Sequence, residues 1–166
     1  MITLVIGGPD SGKSRYAEDL AISFGCINRY YIATMKVMDE TGTKRVEKHR
    51  RQREGKGFVT LEIPTDIQNA ADMMDEPQKS VVLLECVANL AGNMMYLCQD
   101  LPDADSVADL VICRIEKLAG CVSELIVVTS RYECSDEDDE DTTRYKGLLK
   151  IVNARLRRMS DRVMEF

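Results

Sequence analysis

The chain has 166 residues, 45% of them hydrophobic, with 22 Lys and Arg against 28 Asp and Glu and a formal net charge of −6. This length and composition are typical of one globular domain, so we expect residues 1–166 to form a single domain rather than a disordered chain. No apolar run in the sequence approaches the ~18 residues of a membrane span, so none is predicted.

Apolar runs alternate with segments of helical periodicity along the chain. Short aliphatic runs of this kind predict buried strands, and apolar residues three or four apart predict helices. The predicted elements, in chain order, are strand 2–6, helix 12–24, strand 30–34, helix 40–53, strand 58–63, helix 67–74, strand 81–84, helices 87–97 and 107–119, strand 125–129, helix 142–159 and strand 163–166. This alternation predicts an α/β fold, a three-layer sandwich with a mainly parallel sheet covered on both faces.

A glycine-rich segment between the first strand and the first helix matches G-x-x-x-x-G-K-[ST], the phosphate-binding loop (P-loop). Glycines let the backbone fold around phosphate oxygens, so that amide N–H groups and the helix N-terminus face the anion. Lys13 is expected to reach the β- and γ-phosphates, and the Ser14 hydroxyl to bind Mg²⁺. The predicted phosphate-binding residues are Gly7, Gly8, Pro9, Asp10, Ser11, Gly12, Lys13 and Ser14.

Glu85 directly follows the aliphatic strand 81–84. In a parallel sheet, an acid at the carboxyl end of such a strand lies near the P-loop and can hold Mg²⁺ directly or through water, as the Walker-B Asp does. We therefore predict Glu85 as the second Mg²⁺ residue. The alternative is an exposed carboxylate at the end of a strand.

The only histidine is His49, on the basic helix 40–53. Arg45 and Arg53 lie four residues to either side of it and share its face of the helix. Two flanking guanidiniums disfavour the charged imidazolium, which leaves the imidazole neutral and able to attack an α-phosphorus while they hold the triphosphate oxygens. A solvated basic helix would show the same spacing, so spacing alone leaves both interpretations open.

The charges are unevenly distributed. Six consecutive acids at 136–141 account for the whole negative excess, whereas the segment 44–56 is strongly basic. A nucleic-acid-binding domain usually has a broad basic surface, so no nucleic-acid partner is predicted. Because consecutive like charges repel, we predict that the acidic run is a disordered, solvated loop. A loop that attracts Mg²⁺ or docks a partner is the functional alternative.

The cysteines and the amino-terminal residues indicate in which cellular compartment the protein is expected. The six cysteines include no C-x-x-C pair, and one histidine is too few for a zinc finger. The amino terminus lacks the basic leader and small-residue cleavage site of a signal peptide. We therefore expect a cytoplasmic protein with reduced, mostly buried thiols.

The order of these motifs resembles the bifunctional adenosylcobinamide kinase / adenosylcobinamide-phosphate guanylyltransferase family of cobalamin biosynthesis. The resemblance covers nearly the full chain. The similar segments are GGPDSGKSRYAE (7–18), YIAT (31–34), RVEKHR (45–50), FVTLEIP (58–64), LLECVANLAGNMM (83–95), VVTSR (127–131) and RYKGLLKIVNARLRRMSDRV (144–163).

The resemblance implies a P-loop NTPase-type fold similar to the recombination ATPases, and a homo-oligomer, with a trimer expected. It implies two reactions with GTP or ATP and Mg²⁺: phosphorylation of adenosylcobinamide, and transfer of GMP from GTP to adenosylcobinamide phosphate through a histidine-GMP intermediate. The catalytic residues would be His49 and Lys13. Beyond the P-loop, the family's nucleotide site falls on Thr34, Gln52, Arg53, Glu62 and Glu85.

The chain departs from the family pattern after the strand 125–129. The usual Asn-Glu pair is replaced by Ser130 and Arg131, which inverts the local charge, and the six acids replace a glycine-rich substrate loop. Two alternatives follow: another P-loop small-molecule kinase, or a nucleotide-binding paralogue that has lost corrinoid activity.

Overall fold

The computed structural model of the protein describes residues 1–26, 28–36, 40–100, 103–133 and 135–166, apart from the side chains of Thr41 and Arg45. Across these residues six strands form one sheet in the order β3-β2-β4-β5-β1-β6, and every neighbouring pair is parallel. The strands are β1 (Ile2–Gly7), β2 (Asn28–Ala33), β3 (Phe58–Glu62), β4 (Ser80–Glu85), β5 (Glu124–Ser130) and β6 (Arg162–Glu165).

Five α-helices and two short 3₁₀ helices connect the strands within the described ranges. The α-helices are α1 (Lys13–Ser23), α2 (Glu40–Arg53), α3 (Val87–Leu97), α4 (Ala104–Cys121) and α5 (Glu140–Met159). The predicted helix 67–74 is a 3₁₀ helix, Ile67–Met73, whose buried residues Ile67 and Ala70 are three apart, the repeat that puts them on one face of such a helix. Helix α4 begins earlier than predicted because the Asp103 side chain accepts a hydrogen bond from the N–H of Ser106 and caps it.

The sheet is covered on both faces, as a parallel sheet requires. On one face, α1 packs through Ala17 and Ala21 against alternate strand residues such as Val5 and Leu83. The opposite face carries α3, α4 and α5 over a larger apolar core. The predicted α/β three-layer sandwich is confirmed, and the sheet is parallel throughout the described strands. In the same part of the chain, none of the helices combines the length and the apolar character that a membrane crossing requires.

The acidic run is more ordered than predicted. Asp138 is paired with Lys146 at 2.7 Å, and the Asp139 side chain accepts a hydrogen bond from the N–H of Thr142 as the cap of α5. Glu140 and Asp141 form the first turn of that helix. The expectation of a disordered loop is therefore wrong for these residues, because carboxylates at a helix N-terminus accept its unpaired N–H groups and interact favourably with its dipole.

Candidate functional site

The carboxyl ends of the six parallel strands meet at one edge of the sheet, and the P-loop lies there between β1 and α1. Asp10 and Gly12 adopt left-handed backbone conformations, with φ of 51° and 86°, and Gly12 immediately precedes α1. Lys13 is buried, and its Nζ donates a hydrogen bond to the Gly8 carbonyl oxygen at 2.8 Å. The loop thus directs an ammonium group and helix N–H groups at one point, which is the arrangement that binds phosphate.

Gly7 is enclosed by its neighbours. A Cβ atom built there would lie 2.7 Å from Ser11 Oγ, 2.8 Å from Phe166 Cβ and 3.0 Å from the Phe166 carbonyl oxygen. The Phe166 N–H is itself held by the Ile6 carbonyl oxygen at 2.9 Å. The first position of the loop therefore needs glycine for space.

Replacing Gly7 with alanine is expected to lower the free energy of unfolding by about 1–3 kcal/mol, the usual cost of overpacking. Gly8→Ala is a matched control for stability, because nothing lies within 4 Å of a Cβ at Gly8. Urea unfolding of both nucleotide-free variants measures the difference. Equal stabilities of the two variants would contradict the steric argument.

Ser14 and Glu85 are brought together although their elements are not adjacent. β5 lies between β1 and β4, yet Ser14 Oγ donates to Glu85 Oε1 at 2.5 Å. Glu85 Oε2 is buried and has no hydrogen-bond partner among the described residues. A hydroxyl and a carboxylate with a free oxygen are hard oxygen donors and fit Mg²⁺.

The described residues hold no group of three or more His, Cys, Asp or Glu side chains suited to a metal. A cation at Ser14 and Glu85 would therefore take most of its ligands from water and a bound nucleotide, as Mg²⁺ commonly does.

Thr34 supports the Glu85 segment. Its hydroxyl donates to the Cys86 carbonyl oxygen at 2.8 Å, and its N–H donates to the Glu85 carbonyl oxygen at 3.1 Å. The Asn93 amide on α3 donates to the carbonyl oxygens of Thr34 and Pro64 at 2.8 and 3.0 Å. These bonds join the ends of β2, β3 and β4, and Asn93, which lies in the similar segment 83–95, was not among the predicted site residues.

Two other ionisable groups near Glu85 are kept neutral. Burial raises the pKa of the Cys86 thiol to about 11, so at neutral pH it is not a thiolate nucleophile. Burial, followed by the nearby Glu85 carboxylate, raises the pKa of Tyr31 well above its usual value. Neither group is therefore a good candidate for covalent chemistry.

Two arginines that follow His49 on α2, Arg50 one residue later and Arg53 four residues later, contact neighbouring elements. Arg50 forms an ion pair with Glu62 at the carboxyl end of β3, and both side chains are exposed. Arg53 is buried, and its guanidinium carbon lies 3.4 Å from the centre of the Tyr31 ring. His49 Nδ1 is buried without a partner among the described residues. These contacts connect α2 with β3 and β2, and none of the described residues forms a hydrogen bond with the imidazole at Nδ1.

The remaining predicted residues are placed as follows. Gln52 is half-buried on α2, Pro9 and Asp10 are exposed, and Ser11 is half-buried. The Arg45 side chain, predicted to share the His49 face, lies outside the described residues. The structure thus brings Lys13, Ser14, Thr34 and Glu85 to one edge, and places Gln52, Arg53 and Glu62 on or against α2.

A buried ion pair connects the P-loop helix to the end of α2. Glu18 on α1 is fully buried and accepts a hydrogen bond from Lys56 Nζ at 2.6 Å. Lys56 follows α2 by three residues, and its carbonyl oxygen accepts a bond from Arg29. No periodicity joins Glu18 to Lys56, so only the fold reveals that this pair sets α2 beside α1.

Known proteins resemble this chain in sequence over most of its length. The bifunctional adenosylcobalamin biosynthesis protein CobU of Escherichia coli K12 is 35% identical over 139 residues, 78% of this chain and 75% of that protein. CobU of Salmonella typhimurium is 25% identical over 98% of this chain and 93% of that protein. CobP of Pseudomonas aeruginosa is 32% identical over 72% of this chain and 67% of that protein.

The fold is also found among solved structures. The flagellar accessory protein FlaH from Methanocaldococcus jannaschii superimposes with a TM-score of 0.50 over 99% of this chain and 70% of that one. At 10% identity the likeness concerns the fold alone. It agrees with the predicted P-loop NTPase-type, recombination-ATPase-like sandwich, which is confirmed.

The sequence also matches the family described as cobinamide kinase / cobinamide phosphate guanyltransferase over residues 3–166. This match spans the P-loop, the strand bearing Glu85 and the helix bearing His49. The chain therefore belongs to the cobinamide kinase / cobinamide phosphate guanyltransferase family.

Proposed function

We propose that the protein phosphorylates adenosylcobinamide and then transfers GMP from GTP to adenosylcobinamide phosphate, giving adenosylcobinamide-GDP. The observation that carries this proposal is the joint presence of a complete P-loop with Ser14 bound to Glu85 and a separate, anchored helix presenting the only histidine. A kinase needs the first feature alone. A transferase with a covalent nucleotidyl intermediate also needs a nucleophile, which the second supplies.

In the kinase step, the oxygen of the substrate hydroxyl attacks the γ-phosphorus of GTP or ATP. The bond from that phosphorus to the β,γ-bridging oxygen breaks, its electron pair leaves with the nucleoside diphosphate, and the hydroxyl proton passes to solvent. Lys13 and the N–H groups at the start of α1 stabilise the charge on the transferred group. The buried position of Lys13 strengthens this interaction, because the site is partly shielded from water.

In the guanylyl step, an imidazole nitrogen of His49 attacks the α-phosphorus of GTP and pyrophosphate leaves with the electrons of the broken P–O bond. A phosphate oxygen of adenosylcobinamide phosphate then attacks the same phosphorus, the P–N bond breaks, and the imidazole is restored. Dividing the transfer in this way replaces one difficult displacement with two easier ones. Arg50 and Arg53, one residue after and four residues after His49, add positive charge to this helix.

Ser14 and Glu85 are the residues that would hold Mg²⁺ with the nucleotide. When bound, the ion would neutralise charge on the phosphates. The protein's own contribution is the hydrogen bond from Ser14 Oγ to Glu85 Oε1, while Thr34 binds the backbone carbonyl oxygens of the Glu85–Cys86 segment.

A turnover assay with adenosylcobinamide, GTP and Mg²⁺ tests the proposal. We expect adenosylcobinamide phosphate to form first and adenosylcobinamide-GDP to follow, with pyrophosphate released in equal amount to the second product. Phosphorylation without the second product would favour a P-loop kinase that uses His49 only to bind phosphate. Binding of GTP without conversion of the corrinoid would favour a nucleotide-binding paralogue.

A further inference from the structure

Arg131 is the first residue after β5, the strand that separates the P-loop strand from the strand of Glu85. In the β5–β1 register, Ser130 lies opposite Gly7. The N–H of Arg131 donates to the Gly7 carbonyl oxygen at 3.1 Å. The backbone of Arg131 is therefore fixed against the first peptide of the P-loop.

The Arg131 side chain extends across the end of β1. Its Nη1 lies 3.4 Å from Glu165 Oε2, and Glu165 belongs to β6, which pairs with β1 on the side away from β5. The side chain thus spans from β5 toward β6 past the carboxyl end of β1, and Glu165 also contacts Arg157 of α5 there.

The Glu165 carboxylate contacts two arginines, and its contact with Arg131 is the longer and weaker of the two. Arg157 Nη1 donates to the other oxygen of Glu165 at 2.5 Å, and this bond is the main cause that lowers the pKa of Glu165. Arg157 alone can thus balance the carboxylate. The Arg131 side chain is 53% exposed and forms no other hydrogen bond or ion pair with the part of the chain that the structure describes.

The same edge is where the terminal phosphate of a nucleotide would lie. A P-loop lysine reaches the β- and γ-phosphates, and Lys13 Nζ is within hydrogen-bond distance of the Gly8 carbonyl oxygen. Gly8 follows the residue to which Arg131 is bonded. A terminal phosphate held by Lys13 is therefore within the span of an arginine side chain anchored at Gly7, and five guanidinium N–H groups suit its oxygens.

We propose that Arg131 leaves Glu165 and binds the γ-phosphate of the nucleotide on the P-loop, so that the site distinguishes a triphosphate from a diphosphate. This inference rests on the nucleotide site of the proposed function. Arg131 is a cation supplied by the chain itself to the group that the kinase step transfers, and Glu165 is the carboxylate that it contacts at the edge of the loop.

The test is the ratio of the Kd for GDP to the Kd for a GTP analogue with a non-hydrolysable β,γ-imido bridge, measured by titration calorimetry with Mg²⁺. We expect the parent to prefer the triphosphate. Arg131→Gln should weaken triphosphate binding by about ten- to a hundredfold and leave GDP binding within about twofold, since one charge-assisted contact is removed. Arg131→Lys should recover part of the preference.

Glu165→Gln is the matched control. It removes the carboxylate that competes for Arg131, so the preference for the triphosphate should equal or exceed that of the parent. An unchanged ratio in Arg131→Gln, or equal weakening of both nucleotides, would overturn the inference. Loss of the triphosphate preference in Glu165→Gln would also overturn the inference, because it would show that the preference depends on the Arg131–Glu165 ion pair and not on binding of Arg131 to the phosphate.

This experiment separates the inference from the proposed function. A parent protein that prefers the triphosphate through Arg131 but converts no adenosylcobinamide would contradict the function and support the inference. A parent that makes adenosylcobinamide-GDP, but whose ratio of Kd values is unchanged in Arg131→Gln, would support the proposed function and contradict the inference. A parent that binds neither nucleotide would overturn both.

Discussion

His49→Ala is expected to abolish covalent labelling of the protein by GTP carrying the label in its α-phosphate. The parent should give a label that is labile in acid and stable in alkali, as a phosphoramidate is, because the imidazole nitrogen becomes bonded to phosphorus. Removing the nucleophile should reduce formation of adenosylcobinamide-GDP by at least about a thousandfold. Gel electrophoresis with autoradiography measures the first effect and chromatography of the corrinoid products measures the second.

The kinase step provides the control for His49→Ala. Because the P-loop, Ser14 and Glu85 are untouched, the variant should still phosphorylate adenosylcobinamide at close to the parental rate. Retained phosphorylation also shows that the variant is folded. If the alanine variant is labelled as strongly as the parent, the covalent mechanism through His49 is wrong.

Lys13→Met should strongly reduce the rate of both reactions. Methionine keeps a side chain of similar length but cannot donate to phosphate, and losing one preorganised donor to a charge-bearing transition state typically lowers kcat by about 10²–10³-fold. Affinity for GTP should also fall, by about ten- to a hundredfold, through loss of a charge-assisted hydrogen bond. Steady-state phosphorylation rates and calorimetric titration with GTP measure the two effects.

Lys79→Met is the matched control for this substitution. Lys79 is an exposed lysine next to the amino end of β4, at the sheet edge opposite the P-loop, and it pairs only with Glu76 among the described residues. Its replacement should leave both reactions and GTP affinity near parental values. Equal losses in the two variants would show that Lys13 acts through net charge and not through the P-loop.

Local patterns in the sequence sufficed to predict much of this site. The glycine spacing at 7–14 lies directly after an apolar strand, so the loop and its two candidate binding side chains, Lys13 and Ser14, were identifiable without coordinates. Glu85 was identifiable because a four-residue aliphatic strand ends at it. Each of these features is defined by residues that are close together in the chain, so a short segment of sequence is enough to predict it.

Long-range contacts were not predictable in this way. The pairs Glu18 with Lys56 and Arg53 with Tyr31 join residues 38 and 22 positions apart, and the partners have no common period or motif. The prediction for the acidic run failed for a different reason, because its contacts are local: Asp138 pairs with Lys146, and Asp139 accepts a hydrogen bond from the N–H of Thr142. The repulsion between like charges was considered, but not that α5 begins within the run, at Glu140, where carboxylates are favourable.

The amino-acid sequence by itself determined the alternation of strands and helices, the P-loop, the acid that follows a buried strand and the single histidine, because each depends on residue type and spacing within a short segment. The tertiary structure alone decided the strand order, with β5 between β1 and β4, and hence that Ser14 reaches Glu85 and that Arg131 crosses the end of β1 toward Glu165. Strand order in a parallel sheet is set by how helices pack on both faces and by pairing between distant segments. The local sequence pattern predicts neither of these.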